Sequence, residues 1–283
     1  MRRFKLGALL ESFKMPTRDA IKAASNLGLD GVQIFSTTGE FAAENMTGDK
    51  RRELLSMLND GGLEISALCG DFGIGFADPK RNPELIDKSK RVIYLAKELG
   101  TNIVTTHIGV VPSDTSHERY NIMQEACAQL AEFADSLDAH FAVETGPETS
   151  ATLKSFLDSL NSTGVAVNLD PANLVMVTGD NPVKAVDNLS RYIVHTHAKD
   201  GIKYKDCNPE YIYKALHPMP EELKNQVLFS EVPLGQGSVP YKEYLDALER
   251  IGYKGYLTIE REVGNNPFAD IKTAVEFLRE LEK

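Results

Sequence analysis

The sequence predicts an α/β fold, a single closed (β/α)8 barrel. Three observations carry that expectation. A helix, a glycine and a strand recur as a unit in AASNLGLDGVQIF (23–35), AKELGTNIVTT (96–106), SLNSTGVAVNL (159–169) and ALERIGYKGYLTI (247–259), with a variant in MLNDGGLEISAL (57–68). Eight strand-and-helix units fit into 283 residues, a length at which such barrels are routinely one domain. No linker, low-complexity tract or composition break divides the chain, so residues 1–283 are read as one domain. An open, doubly wound sheet is the architectural alternative.

The elements follow in order. An apolar strand is expected near 4–10, then a helix near 17–27 that Pro16-Thr17 opens and Gly28 ends. Proline suits the first helical position and glycine the left-handed cap. GVQIF gives the second strand at 31–35, and a helix at 49–59 leads through Gly61-Gly62 to the third at 64–69. Asn82-Pro83 opens a helix at 83–99, which Gly100 ends ahead of a strand at 102–107. Helices at 117–137 and 149–160 precede strands at 140–145 and 165–170. Asn181-Pro182 opens a helix at 182–190 before a strand at 192–198. Helices at 241–251 and 267–282 flank the last strand, at 256–261. The strands are rich in β-branched residues. Residues 201–230, rich in Tyr, Lys and Pro, are an insertion after the seventh strand. In a barrel this is a βα loop on the face that carries active sites, where it is expected to act as a lid.

Composition narrows the function. Hydrophobic content of 42% and charged content of 25% are those of an ordinary globular protein. A net charge of −10 argues against general affinity for nucleic acid, which needs clustered Lys and Arg. Three cysteines without a CxxC spacing favour neither a disulfide framework nor a thiolate zinc site. No uncharged run reaches membrane-spanning length, and the N-terminal apolar run is too short for a signal peptide. The expectation is a reduced, cytoplasmic enzyme without nucleic-acid or membrane partners. A homo-oligomer is compatible with the sequence.

Four apolar runs end on metal-ligand residues: FAVE on Glu144, VNLD on Asp170, VHTH on His197 and YLTIE on Glu260, at intervals of 26, 27 and 63 residues. In a barrel the strand C-termini share one face, so three carboxylates and an imidazole would converge there. Such a set suits one divalent metal ion, Mn, Co, Mg or Zn. Taken singly, each residue reads equally well as a helix cap or solvated strand end. Around them stand polar residues that can contact a substrate or simply pack. Gln33 ends the second strand and His107 the fourth. Asn173 follows Asp170 by one turn, Lys199 shares the face of His197, and Glu231 precedes the Gly235/Gly237 pair. His195, two residues before His197, is expected one layer deeper, and Glu148 at the start of a helix. Gly235 and Gly237 can cradle a substrate oxygen or phosphate, or make a tight turn. Asp200 can cap the following segment or pair with Lys199.

These residues resemble the xylose isomerase-like TIM barrel superfamily of sugar-phosphate isomerases and epimerases, ketose 3-epimerases and inosose isomerases or dehydratases. The likeness runs from KLGALLESF through NLGLDGVQI to IEREVGNNPFADIKTAVEFLREL and is most specific in LDPAN, HAKD, LGQG and TIERE. It implies that Glu144, Asp170, His197 and Glu260 bind one divalent metal. It also implies that Glu144 and Glu260 act as the catalytic acid/base pair on a small carbohydrate or keto-polyol, through a metal-stabilised enediolate. The sequence departs from ketose 3-epimerases at Asn173, where they often have histidine, and at Ser150, where they often have a second glutamate. An isomerase or epimerase of a small sugar, sugar phosphate or keto-polyol is the first expectation. An inosose-type dehydratase is the second. An endonuclease IV-like phosphodiesterase and a non-catalytic sugar-binding barrel follow at a distance.

Overall fold

Strands flanked by helix-ending glycines, with nearly every side chain apolar, are strands built for burial on both faces, as parallel sheets require. The computed structural model describes residues 3–213 and 218–282. Eight of its strands pair in parallel around a closed ring: β1 (Lys5–Leu9), β2 (Gly31–Phe35), β3 (Glu64–Cys69), β4 (Ile103–Thr106), β5 (His140–Glu144), β6 (Val165–Leu169), β7 (Ile193–Ala198) and β10 (Tyr256–Ile259). β1 pairs with both β2 and β10, which closes the barrel. All eight expected strands lie where the sequence put them, to within one or two residues.

The helices are α1 (Thr17–Asn26), α2 (Gly48–Asp60), α3 (Asn82–Glu98), α4 (Glu118–Ser136), α5 (Ser150–Ser159), the single turn α6 (Pro171–Asn173), α7 (Pro182–Leu189), α8 (Pro209–Ile212), α9 (Glu221–Lys224), α10 (Tyr241–Arg250) and α11 (Pro267–Leu281). Their starts follow local chemistry. Asn181 accepts hydrogen bonds from the amides of Val183 and Lys184, with Pro182 in the first turn of α7. The core lies between the helices and the outer strand faces. There Tyr120 meets Phe156 edge to face at 5.4 Å, and Phe141, Leu68 and Met123 are fully buried. Burying one such side chain contributes roughly 1.5–3 kcal/mol.

The insertion carries order that the sequence reading missed. β8 (Asp200–Lys203) pairs antiparallel with β9 (Phe229–Val232), so the segment begins one residue before the expected 201 and extends two past 230. Its strands are short and carry Lys, Asp and Glu, which left no alternating signal. The buried Arg119 of α4 pairs with Glu210 of α8 and pins the insertion to the barrel. The Gly235/Gly237 loop also has an occupant. One carboxylate, that of Asp200, accepts from the amides of Gly201 and Val239 on Oδ1 and of Gly235 and Gly237 on Oδ2, at 2.9–3.1 Å. A Cβ on Gly237 would lie 2.1 Å from Asp200 Oδ1. The cradle therefore holds the protein's own anion, and its amides are not directed at a substrate phosphate.

Candidate metal centre and active site

The C-terminal ends of β5, β6, β7 and β10 are neighbours in the ring, in the order β10-β7-β6-β5. Glu144 is the last residue of β5 and His197 the penultimate residue of β7, while Asp170 and Glu260 lie one residue beyond β6 and β10. One oxygen or nitrogen from each comes within 4.8 Å of all the others. His197 Nδ1 lies 3.4 Å from Glu144 Oε2, 3.4 Å from Glu260 Oε2 and 3.7 Å from Asp170 Oδ2.

Two features test whether these residues fit a metal ion. Asp170 Oδ2 is buried without a hydrogen-bond partner. A carboxylate oxygen can only accept, so a bare one beside two further carboxylates calls for a cation. The imidazole is set to ligate as well. His197 Nε2 lies 3.1 Å from Gln33 Oε1, which orients the ring so that Nδ1 faces the carboxylates. The donor set fits a divalent ion.

The other expected site residues sort by their partners. Gln33 is buried, with Oε1 accepting from His195 Nε2 and His197 Nε2, both at 3.1 Å, and Nε2 donating to Thr105 Oγ1. It forms the floor that orients His197. Asn173 Nδ2 donates to Glu144 Oε1 at 2.8 Å. Lys199 Nζ donates to Glu260 Oε2 at 2.9 Å and to Glu262 Oε2 at 2.5 Å. Glu231 pairs with Arg261 at 2.5 Å and lies 3.9 Å from Lys199 Nζ. His107 lies just past β4, its Nε2 3.6 Å from Glu144 Oε1. His195 is fully buried one layer beneath His197, as the two-residue spacing requires.

Gln33, His107, Glu144, Asn173, His197, Lys199, Glu231 and Glu260 line one cavity of about 510 Å³, which Asp71 and Tyr213 also border, while Asp170 and His195 lie outside its lining. The sequence reading did not single out Asn168, Asp71 or Tyr213, nor the Arg261 and Glu262 that pair with Glu231 and Lys199. Asn168, hidden in the apolar run of β6, donates to Glu144 Oε2 at 3.2 Å. Asp71 accepts from His107 at 3.0 Å, and Tyr213 of the insertion packs on the His107 ring. The two glutamates are electrostatically unequal. Burial pushes Glu144 up to about 7, with Glu260 and Asp170 adding to it against His107 and His197. Burial would also raise Glu260, but Lys199 and His197 hold it well below the usual carboxylate range. Burial would lower His197, yet Glu260 and Glu144 hold it well above its ordinary value.

Residues 21–281 match the family described as the xylose isomerase-like TIM barrel. The uncharacterized protein MJ1311 of Methanocaldococcus jannaschii is 25% identical over 202 residues, 65% of this chain, and the alignment spans only 58% of that protein. L-ribulose-5-phosphate 3-epimerase UlaE of Escherichia coli is 19% identical over 92% of this chain and 88% of its own length. Among solved structures, a xylose isomerase domain protein from Planctomyces limnophilus superposes with a TM-score of 0.78 at 23% identity, covering 98% of this chain and 96% of that one. No helix among the described residues is long and apolar enough to cross a membrane.

Proposed function

The chain belongs to the xylose isomerase-like TIM barrel family, and on that premise we propose that it is a divalent-metal-dependent epimerase or isomerase of a small sugar or sugar phosphate. The observation that carries the reading is the four-donor cluster of Glu144, Asp170, His197 and Glu260 at the catalytic end of the barrel, beside one cavity. A relative named as an epimerase of a five-carbon ketose phosphate supports the substrate class. The cavity volume of about 510 Å³ suits a small carbohydrate.

A divalent ion held by Glu144, Asp170, His197 and Glu260 would supply Lewis-acid polarisation of a carbonyl oxygen, which acidifies the neighbouring C–H. The protein's own groups do the rest. Glu144 and Glu260 form the acid/base pair: one carboxylate accepts the carbon-bound proton, and the other, entering protonated, gives one back. Glu260, on β10, is separated from β5 by β6 and β7, so the two face the reacting carbon from different sides of the cavity. Removal on one face and return on the other inverts the carbon. Return to the adjacent carbon yields the aldose–ketose isomer. Lys199 keeps Glu260 in place, and Asn173 and Asn168 do the same for Glu144.

The test is turnover of a ketose phosphate panel, L-ribulose 5-phosphate included, in D2O with Mn²⁺, read by NMR. The expected result is an epimer or isomer carrying one deuterium at the reacting carbon. Glu144→Gln and Glu260→Gln should each lower kcat at least 10³-fold while the fold stays intact (roughly the scale of lost acid–base catalysis). Substantial activity in both variants would remove them from these roles.

A further inference from the structure

Asp71 has no part in the cluster, yet it is bound more firmly than a loop residue needs to be. It lies two residues beyond β3, its side chain partly buried, and borders the active cavity. Its Oδ1 accepts from its own loop, at 2.7 Å from the Gly73 amide, with Gly73 at a φ of +74. This fixes the carboxylate through a short-range turn. Its Oδ2 lies 3.0 Å from His107 Nδ1.

The consequence falls on His107. With Nδ1 engaged, the ring presents Nε2 to the cavity, where that buried atom has no hydrogen-bond partner. Glu144 Oε1, at 3.6 Å, is too far for a hydrogen bond. Tyr213 restrains the ring from the insertion side, at 5.6 Å between centroids and a 42° tilt. An imidazole held at one nitrogen and restrained by a neighbouring ring, with its other nitrogen unpartnered beside a proposed catalytic carboxylate, is arranged to take a substrate oxygen.

We propose that Asp71 is a positioning residue that fixes His107 so that Nε2 binds a substrate oxygen next to Glu144. This rests on the reading of Glu144 as the residue nearest the reacting carbon. The role of Asp71 is indirect: its carboxylate sets which nitrogen of His107 is committed and where the ring lies.

The experiment uses the full chain loaded with Mg²⁺ and the variants Asp71→Ala, His107→Ala and their double. The first readout does not depend on activity. Nitrogen-edited NMR of the imidazoles should show an Nδ1-bound proton for His107, assigned by its loss in His107→Ala and weakened or lost in Asp71→Ala. The second readout is kinetic. Each single variant should lower kcat/KM at least tenfold, and the double should lie within about twofold of His107→Ala alone, because Asp71 acts through that ring. A purely structural Asp71 would instead cost the same factor in both backgrounds. That result, an unperturbed His107 Nδ1 proton in Asp71→Ala, or wild-type kcat/KM in Asp71→Ala would each overturn the proposal. If the wild type turns over no ketose, the functional reading fails, while the NMR comparison still decides whether Asp71 fixes His107.

Discussion

Replacing Asp200 by asparagine isolates the device that orders the mouth of the barrel. Four amides, of Gly201, Gly235, Gly237 and Val239, converge on one carboxylate that is almost completely buried. Asparagine keeps one acceptor oxygen and puts an NH2 where the second was. Two of the four amides therefore lose their acceptor, and a donor faces them instead. A hydrogen bond to a charged group contributes about 1.5–3 kcal/mol, so the loss comes to about 3–6 kcal/mol before relaxation. Water reaches the amides of Gly235 and Gly237 more easily than the buried pair, which moves the expectation toward the lower end, about 3–4 kcal/mol. The assay is urea unfolding at fixed pH, comparing midpoints at an unchanged m-value. A loss below about 1 kcal/mol would refute the claim that these amides depend on Asp200. A wild type strongly stabilised by inorganic phosphate, with the effect absent in Asp200→Asn, would return the loop to substrate binding.

Two further outcomes are expected. Burial pushes Glu148 up to about 8, against the lesser pull of the Val111 amide and His107, so the folded chain holds its proton more tightly than the unfolded chain. That contribution is complete below the unfolded pKa near 4.5 and is lost as pH rises through about 8. Glu148→Gln, which stays neutral, should gain stability relative to wild type by ~2–4 kcal/mol between pH 5 and pH 8, followed by thermal unfolding. A difference that does not change with pH would show that the carboxyl is solvated. Mn²⁺ at a hundred times its Kd should raise wild-type stability by about 2.7 kcal/mol, and Asp170→Asn and His197→Ala should each remove most of that gain. Equal melting shifts in wild type and both variants would place the ion elsewhere.

How far the sequence could be read depended on whether the signal was local. Helix-ending glycines and β-branched runs act within a few residues of themselves, so the strands lay where they were expected. The clustering of four donors was legible for a related reason. Glu144, Asp170, His197 and Glu260 each interrupt an apolar run at its end, and a parallel barrel brings all such ends to one face. The partners of those four residues gave no such signal. Gln33 ends its strand as a single polar residue, and nothing local shows that its amide joins His195, His197 and Thr105 across 162, 164 and 72 residues. Asp71 reaches His107 across 36 residues from a loop without a motif.

The same distinction bears on mechanism. Three carboxylates at strand ends are chemically alike in the sequence, and their inequality arises from neighbours that the fold supplies. Lys199 donates to Glu260, whereas Glu144 accepts from two asparagine amides and lies 3.4 Å and 3.6 Å from the rings of His197 and His107. Burial raises Glu144, whereas Lys199 and His197 hold Glu260 down against the burial that would raise it, so two residues of one type differ in basicity. Exchanging the Lys199 charge for a neutral side chain is the change that would bring the two glutamates closest to equivalence.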